Sequence, residues 1–223
     1  MRQMKIDMHM HTHYSRDSIN SLNGLVKKCR ELGITPAITD HNTIAAHGPL
    51  RKMGFAFIPG EEIKTSAGDL IGLYMTEAVP KGTPYLEAVD RIREQGGLCY
   101  VPHMYDWMRE GIGDEELAKK ADIVEVYNPR CISSRHNEMA SEFAKRNGKI
   151  GAAGSDSHFT FEIGGTCNEC KNFDVSEPAG LIKALKSGKI IGSGCWVPRP
   201  ALRVITQGIT IAKKTFGIGK PGS

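Results

Sequence analysis

The sequence predicts one α/β domain, and three observations point to that fold class. Short apolar runs that are typical of buried strands alternate with helical patterns along most of the 223 residues. No Gly/Ser-rich linker interrupts this alternation, and a chain of this length is typical of one large domain. The number of strands fits a closed β/α barrel of parallel strands, while a doubly wound open sheet is the alternative.

The predicted elements follow one another in a regular order. Ser21–Leu32 is predicted as a helix because its apolar residues recur with the helical period and Gly33 follows its end. Further helices are predicted at Tyr85–Gln95, Ser134–Arg146 and Pro178–Lys186. The predicted strands are Lys5–His9, Ala37–Thr39, Phe55–Pro59, Leu70–Met75, Leu98–Val101, Ile123–Tyr127, Lys149–Ala153 and Ile190–Gly194.

Basic residues are concentrated at the C-terminal end of the chain. Between Pro178 and Ser223 there are eight Lys or Arg residues and no Asp or Glu, although the net charge of the chain is only +4. Such a stretch is typical of binding to a polyanion or nucleic acid, and equally of a solvated tail. We expect a catalytic domain over residues 1–197 and a basic C-terminal extension over residues 198–223.

The composition excludes several classes of protein. With 40% apolar and 24% charged residues, the chain is neither disordered nor fibrous. No run approaches the roughly 18–20 apolar residues of a membrane span, and the N-terminus turns polar before a signal-peptide core could form. We therefore expect a cytoplasmic protein with reduced cysteines. Cys167 and Cys170 form a lone CxxC, which we expect to be core or loop thiols rather than a redox or metal pair.

Two alternate histidines at the end of the first predicted strand indicate a metal site. The side chains of His9 and His11 lie on the same face of a strand and can reach one ion. An HxH pair on a surface strand can also arise by chance. The metal interpretation is strengthened by four further strand ends that carry His, Asp or Glu, at Thr39-Asp40-His41, Gly60-Glu61-Glu62, His103 and Ser155-Asp156-Ser157-His158.

Divalent metal ions explain why these residue types would share one face. In a parallel barrel the C-terminal strand ends meet on one face, where sites are built. Carboxylates and imidazoles crowded there are costly to bury unless cations lie among them. Mixed imidazole and carboxylate ligands suit zinc, manganese or iron, whereas magnesium prefers oxygen ligands and water.

In this order the motifs resemble those of the PHP family, the polymerase and histidinol phosphatase superfamily. The resemblance covers about residues 4–195 and rests on His9-x-His11-Thr12, Thr39-Asp40-His41, Gly60-x-Glu62, His103 and Ser155-Asp156-x-His158. It implies a distorted (β/α)7 barrel of the PHP type with two or three divalent metal ions. Most characterised types in the family hydrolyse phosphate esters.

The resemblance also implies which residues hold each ion. The first ion would be held by His9, His11, Glu62 and Asp156. Glu62 would bridge to a second ion, completed by His103 and Asp69. The third would be held by Asp17, His41 and His158. Asp69 stands where a histidine is common in the family, and the alternative for it is a turn residue.

Neighbouring residues are expected to support the chemistry. Asp7 is expected to orient His9 or a neighbouring ligand and Asp40 to orient His41, because ligating histidines usually donate their other N–H to an oxygen. Arg130 follows a predicted strand and is a candidate catalytic residue that clamps a phosphate; the alternative is an exposed loop arginine. His158 is a second candidate, as the proton donor to the leaving group, although water is the preferred donor.

The predicted function is a metal-dependent phosphoesterase in which a metal-activated hydroxide attacks phosphorus. The expected substrate is a phosphorylated small molecule or nucleotide, or a nucleic-acid end. The alternatives are an amidohydrolase-like metal hydrolase, which also carries HxH on its first strand, and a non-catalytic metal-binding regulatory module.

Overall fold

The computed structural model describes residues 3–192 and 199–216. The strands in these residues are Gln3–Met10 (β1), Ile34–Ile38 (β2), Ile58–Lys64 (β3), Asp69–Leu73 (β4), Leu98–Val101 (β5), Ile123–Tyr127 (β6), Ile150–Ala153 (β7), Thr166–Lys171 (β8) and Lys189–Gly192 (β9). The α-helices are Leu22–Leu32 (α1), His47–Lys52 (α2), Tyr85–Glu94 (α3), Glu115–Ala118 (α4), Ser134–Arg146 (α5), Pro178–Ser187 (α6) and Arg199–Phe216 (α7).

The strands form one mixed sheet in the order β7-β6-β5-β4-β3-β2-β1-β8-β9. β1, β2 and β3 pair in parallel, and so do β5, β6 and β7. β4 is antiparallel to β3 and β5, and β8 and β9 also pair antiparallel. The expected distorted β/α barrel is confirmed, but the expectation of parallel strands throughout is wrong. Only residues 65–68 join β3 to β4, and so short a connection permits only an antiparallel pair.

The reversal of β4 determines where Asp69 lies. Asp69 is the first residue of β4 and pairs with Lys64, the last residue of β3. Because β4 runs against both neighbours, its N-terminal end lies at the same edge as the C-terminal ends of β3 and β5. The reversed strand therefore delivers Asp69 to the edge that carries the other sequence-predicted ligands.

Asn168 joins the first strand of the barrel to the seventh. Its Oδ1 accepts a hydrogen bond from Ala153 N (2.9 Å), and its Nδ2 donates to Ala153 O (2.8 Å) and to Ile6 O (3.0 Å). At the polar end of the same seam, Asp156 N donates to His9 O at 2.7 Å. A side chain of β8 thus takes the place of a strand ladder, and the sheet is nearly closed between β1 and β7.

Local sequence signals place the first helix as predicted. The Ser21 hydroxyl accepts a hydrogen bond from Gly24 N and begins α1. Gly33 ends the helix in the left-handed conformation, with φ 65°, which glycine adopts without a steric penalty. The face that carries Leu25 and Val26 is buried, so the helical period correctly predicted which side packs on the sheet.

An apolar cluster fills the barrel below the polar end. Ile6, Met8, Ile58 and Ile123 are fully buried in it together with Tyr100. The hydroxyl of Tyr100 donates to a carboxylate of the polar cluster described below. The same side chain thus belongs to the apolar core and to the support of the site.

The helices α2, α4 and α7 and the strand β8 escaped the sequence prediction. The helix α2 has only six residues, and a proline lies within it. β8 has the polar sequence TCNECK, which lacks the apolar run of the other strands. Cys167 and Cys170 lie on β8 as buried free thiols, which agrees with the expected core role. Cys195 lies outside the described residues.

The described part of the basic C-terminal stretch ends in the long helix α7. Leu202 and Thr206 are buried, so this helix packs on the rest of the chain. The expected domain boundary at 197/198 falls outside the described residues and stays a prediction. Among the described helices, none has the combination of length and hydrophobicity that crossing a membrane requires.

Replacing Asn168 by alanine is expected to destabilise the fold. Asn168→Ala leaves the N–H and C=O of Ala153 and the C=O of Ile6 without these buried partners, so we expect a loss of about 3 kcal/mol in the free energy of unfolding. Urea unfolding followed by circular dichroism measures it. Asn23→Ala, at an exposed position of α1, is the control and should stay within about 0.5 kcal/mol of the wild type. Equal stability of the two variants would contradict the closure by Asn168.

Candidate metal centre

The strand ends bring all nine sequence-predicted ligands into one cluster. They are His9 on β1, His11 and Asp17 after β1, His41 after β2, Glu62 on β3, Asp69 on β4, His103 after β5, and Asp156 and His158 after β7. His41 and Asp17 are partly exposed, and the others are buried. The expectation that five strand ends converge on one face is therefore realised in the structure.

His9, His11 and Glu62 form the first group of potential ligands. The two Nε2 atoms are 3.1 Å apart, and each lies 3.3 Å from Glu62 Oε2. Asp156 Oδ1 lies 3.3 Å from His11 Nε2 and 3.8 Å from His9 Nε2. Tetrahedral ligands at about 2.0–2.2 Å from an ion are about 3.3–3.6 Å from one another. The spacing of these four side chains therefore fits one ion.

Glu62 also faces a second group, which includes His103 and Asp69. Its Oε1 atom lies 3.0 Å from His103 Nε2, whereas its Oε2 atom faces the first group. Ligand atoms of Glu62, Asp69 and His103 lie within 4.8 Å of one another. One carboxylate thus presents its two oxygens to two adjoining groups, which is the arrangement a bridging ligand needs.

Asp17, His41 and His158 form a third group on the exposed side. Asp17 Oδ2 lies 3.4 Å from His41 Nε2 and 3.2 Å from His158 Nε2. The ring of His11, which belongs to the first group, lies against this third group: its centroid is 4.5 Å from that of His41 and 4.3 Å from that of His158. The three groups are therefore contiguous.

Several buried oxygens of the cluster have no hydrogen-bond partner among the described residues. They include Glu62 Oε2, Asp156 Oδ1 and Asp17 Oδ1. A buried anionic oxygen without a partner is unfavourable. Here Glu62 Oε2 and Asp156 Oδ1 face imidazole nitrogens, and a mixed set of carboxylates and imidazoles fits divalent zinc, manganese or iron.

Burial lowers the pKa values of the clustered histidines, whereas the neighbouring carboxylates raise them. Burial disfavours the charged form of His9, but Asp156 and Glu62 outweigh it and raise the pKa of His9 well above its usual value. At His11 the same opposition raises the pKa to about 9. At His158 burial dominates and lowers the pKa to about 3. His158 is therefore neutral at neutral pH, whereas His9 and His11 hold protons that a bound cation would displace.

Glu125 is a functional residue that the sequence analysis missed. This buried residue of β6 places Oε1 3.1 Å from His9 Nδ1, so the far side of the His9 ring has a carboxylate partner. The carboxylate also accepts from Tyr100 OH (3.0 Å), His103 N (2.8 Å) and Asn128 Nδ2 (2.8 Å). Such a contact fixes the ring with Nε2 toward the cluster. The signal in the sequence was an acidic residue within the apolar strand Ile123–Tyr127.

Asp7 contacts the backbone of the site rather than an imidazole ring. Its Oδ1 accepts from Ser155 N (2.8 Å) and from His9 N (3.3 Å). It therefore connects β1 to the turn that carries Asp156. Burial raises the pKa of Asp7 to about 7.

Asp40 acts on His11 through a serine, not on the His41 ring. His11 Nδ1 lies 3.0 Å from Ser15 Oγ, and Ser15 Oγ donates to Asp40 Oδ1 at 2.7 Å. Asp40 also accepts from Thr12 N (2.7 Å) and from Thr12 Oγ1 (2.6 Å). This chain of hydrogen bonds holds the turn after β1 and orients His11.

Arg130 and Arg109 occupy different environments beside the cluster. Arg130 Nη1 contacts both carboxylate oxygens of Glu162, at 2.8 and 2.9 Å, so its charge is already paired. Arg109, which the sequence analysis did not consider, pairs with Asp156 through one nitrogen. Its Nη1 atom is buried and has no hydrogen-bond partner among the described residues. Both side chains line the same cavity.

The turn after β7 requires unusual backbone geometry. Asp156 has φ 53°, in a region that non-glycine residues rarely adopt. Two residues earlier, a Cβ atom on Gly154 would collide with His9 Cβ and Glu125 Oε1. Glycine is therefore needed for this turn to approach β1, and the strained residue is itself one of the predicted ligands.

The cluster opens into a cavity of about 530 Å³. Asp17, His41, Asp69, His103 and His158 are among its lining residues. Residues of α7 line the same cavity, so the C-terminal helix lies beside the predicted metal centre. The volume is in the range of roughly 300–1,000 Å³ that is common for small-molecule sites.

Comparison with known protein families finds two matches along the chain. The PHP domain matches residues 7–101, and the PHP-associated region matches residues 134–190. An uncharacterized protein of Methanocaldococcus jannaschii is 40% identical over 185 residues, which cover 80% of this chain and 75% of the relative.

Two solved structures show the same fold at low sequence identity. PsfC from Pseudomonas syringae is 12% identical with a TM-score of 0.68, and the match covers 95% of this chain and 99% of that one. A two-domain protein from Bacteroides vulgatus that contains a predicted PHP-like metal-dependent phosphoesterase is 17% identical with a TM-score of 0.59. That match covers 86% of this chain and 65% of the other.

Replacing Glu125 by glutamine is expected to weaken metal binding. Glu125→Gln keeps the shape but removes the carboxylate that faces His9 Nδ1, so the affinity for zinc or manganese should fall about tenfold to a hundredfold. Competition with a chelating dye measures the affinity. Glu94→Gln on the exposed face of α3 is the control and should bind as the wild type does. Unchanged affinity in Glu125→Gln would contradict the orienting role.

Metal binding is also expected to release protons. The pKa of His11 is raised to about 9, so at pH 7 this ring is protonated and must lose its proton before it can bind an ion. The apparent affinity should therefore rise as the pH is raised toward 9 and fall as the pH is lowered. Calorimetric titration in two buffers of different ionisation enthalpy counts the protons. Binding without proton release, at an affinity independent of pH, would contradict this reading of the cluster.

Proposed function

The chain belongs to the family of PHP-domain proteins, and on that premise we propose that it is a metal-dependent phosphoesterase. The observation that carries the proposal is the convergence of nine His, Asp and Glu side chains into three contiguous groups: the first two share Glu62, and His11 of the first lies against the third. Support comes also from the Bacteroides vulgatus protein, whose fold is similar and which contains a predicted PHP-like metal-dependent phosphoesterase.

The proposed ligands are those that the family resemblance implied. His9, His11, Glu62 and Asp156 would hold one ion, Glu62, Asp69 and His103 a second, and Asp17, His41 and His158 a third. Zinc, manganese and iron fit this donor set. Divalent ions bound there supply Lewis acidity, which lowers the pKa of a water molecule and offsets the negative charge of a phosphate ester.

The protein's own residues would bind and orient the phosphate. Arg109 is the better candidate for a phosphate contact, because its Nη1 atom has no hydrogen-bond partner among the described residues. Arg130 is paired with Glu162, so we assign to it the support of the cavity wall. The pKa of His158 is lowered to about 3 by burial, and a neutral imidazole is a poor proton donor. Solvent is therefore the proposed source of the proton for the leaving group.

The proposed substrate is a phosphorylated small molecule or nucleotide in the cytoplasm. A cavity of about 530 Å³ supports this size, and the proposed metal ligands that line it would face the phosphate. An amide substrate is the comparison in the test below.

Substitution of His11 is expected to remove both metal and activity. His11→Ala deletes a ring that lies in two of the potential ligand groups, so metal content and the hydrolysis of 4-nitrophenyl phosphate should both fall, the latter by about a hundredfold or more. Metal content by mass spectrometry and phosphate release measure the two effects. Asp156→Asn should show the same loss by removing a charge rather than a ring.

The matched control is His13→Ala. His13 lies two residues further along the chain, and its ring packs against Tyr14 outside the described ligand groups. It should keep its metal and at least half of the activity. Hydrolysis of an amide substrate in place of the phosphate ester would favour the amidohydrolase alternative. Bound metal with no hydrolysis of either substrate would favour the regulatory one.

A further inference from the structure

The helix α7 contributes to the lining of the cavity at the predicted metal centre. Thr206, Gln207, Thr210 and Ile211 line this cavity together with His41 and His158. We propose that α7 selects the substrate: it limits the site to phosphate monoesters of about nucleotide size, and Gln207 contacts their organic part. This inference rests on the proposed function and adds the size and chemistry of the substrate to it.

Lys213 fastens α7 to the loop that carries Asp17. Its Nζ atom donates to His13 O at 2.7 Å, to Ser15 O at 2.7 Å and to Ser18 O at 2.6 Å. An ammonium group has three N–H donors, and three carbonyl oxygens use all of them. The position of α7 is thereby tied to the position of a predicted metal ligand.

The N-terminal part of α7 is partly buried. Leu202 and Thr206 are buried, and Lys213 lies three turns after Leu202 along the helix. Gln207 and Thr210 lie between Leu202 and Lys213, on the part of the helix that lines the cavity. A helix that is buried at one position and hydrogen-bonded at another keeps such side chains in place, which a loose tail would not.

Three of the four α7 side chains that line the cavity, Thr206, Gln207 and Thr210, are uncharged and polar, and the fourth is Ile211. The Thr210 hydroxyl donates to Thr206 O at 3.0 Å, so its oxygen can still accept a hydrogen bond. Gln207 offers both an amide donor and a carbonyl acceptor. The same cavity is lined by predicted metal ligands and by Arg109 and Arg130. A lining that combines charged groups with neutral side chains matches a molecule with a phosphate and a neutral organic part.

Neither of the two adjacent lysines of α7, Lys213 and Lys214, offers its charge to a nucleic-acid backbone at the cavity. The ammonium group of Lys213 donates to three backbone carbonyl oxygens, and Lys214 is exposed and does not line the cavity. A polymer that continued beyond the scissile phosphate would have to pass α7. A free mononucleotide would not, because its organic part ends within the cavity.

The first experiment releases the helix and measures size selection. Hydrolysis of adenosine 5′-monophosphate and of a short 5′-phosphorylated oligonucleotide is compared by kcat/KM. We expect the wild type to prefer the mononucleotide, and Lys213→Met to reduce this preference about tenfold, because α7 is no longer held over the site. Lys214→Met, at the neighbouring exposed position, is the matched control and should keep the wild-type preference.

The second experiment tests the contact and the fastening separately. Gln207→Ala should raise KM for adenosine 5′-monophosphate about fivefold through loss of one hydrogen bond, with a smaller rise for 4-nitrophenyl phosphate. Amide hydrogen exchange should become faster in residues 13–18 and in α7 of Lys213→Met, but not in Lys214→Met. This readout does not depend on bound metal or on activity.

The outcomes separate this inference from the proposed function. The role of α7 would be overturned if the wild type hydrolyses phosphate esters and Lys213→Met has the same size preference and the same amide hydrogen exchange as the wild type. The proposed phosphoesterase function would then still stand. A wild type that prefers the oligonucleotide would also overturn the role of α7. Absence of hydrolysis of every phosphate ester by metal-loaded wild type would overturn the proposed function, and the substrate inference with it.

Discussion

The carboxylate of Glu62, buried among imidazoles, is the interaction on which the rest of the structure depends. One of its oxygens lies 3.0 Å from His103 Nε2, and the other lies 3.0 Å from His41 Nδ1 and 3.3 Å from His9 Nε2. Burial alone would raise the pKa of Glu62, but His41 and His9 hold it well below its usual value. Because β1, β2 and β5 each bring a partner to this carboxylate of β3, the four strands must end at the same level of the barrel. The register of the sheet and the reversal of β4 satisfy that requirement.

A cluster of this kind weakens the fold locally, and the surrounding structure offsets the cost. Carboxylates that lie close together in an apolar interior repel one another and lose their hydration. The strained turn at Asp156 adds to this cost. The offset comes from the apolar cluster around Ile6, Met8 and Tyr100 and from the closure by Asn168, both of which lie away from the chemistry. A site built in this way is rigid, which suits ligands that must hold fixed positions.

The sequence predicted which side chains converge at the strand ends because their signals are local. The pair His9 and His11 shows the strand period, and Ser155-Asp156-Ser157-His158 follows an apolar run, so each motif can be recognised within a few residues. Glu125, Asn168 and Arg109 have no such signal. Asn168 contacts Ile6, which is 162 positions away, and the contact exists only after the barrel has closed. β8 escaped prediction for the same reason, since its polar sequence is suited to this seam and not to an ordinary buried strand.

The C-terminal stretch shows how a charge count differs from a charge distribution. Eight basic residues without an acidic neighbour indicated a polyanion or a solvated tail. In the structure residues 199–216 of this stretch form a helix. The ammonium group of Lys213 donates hydrogen bonds to three carbonyl oxygens of the loop before α1. Such a lysine contributes little to an electrostatic surface, but it fixes a cavity wall beside Asp17. Composition therefore identified an unusual segment, while its role follows from the direction in which one ammonium group points.

Arg130 and Arg109 also show that a residue's charge does not by itself give its role. Both carry one positive charge. The charge of Arg130 is paired with Glu162, whereas Arg109 keeps a nitrogen without a hydrogen-bond partner among the described residues.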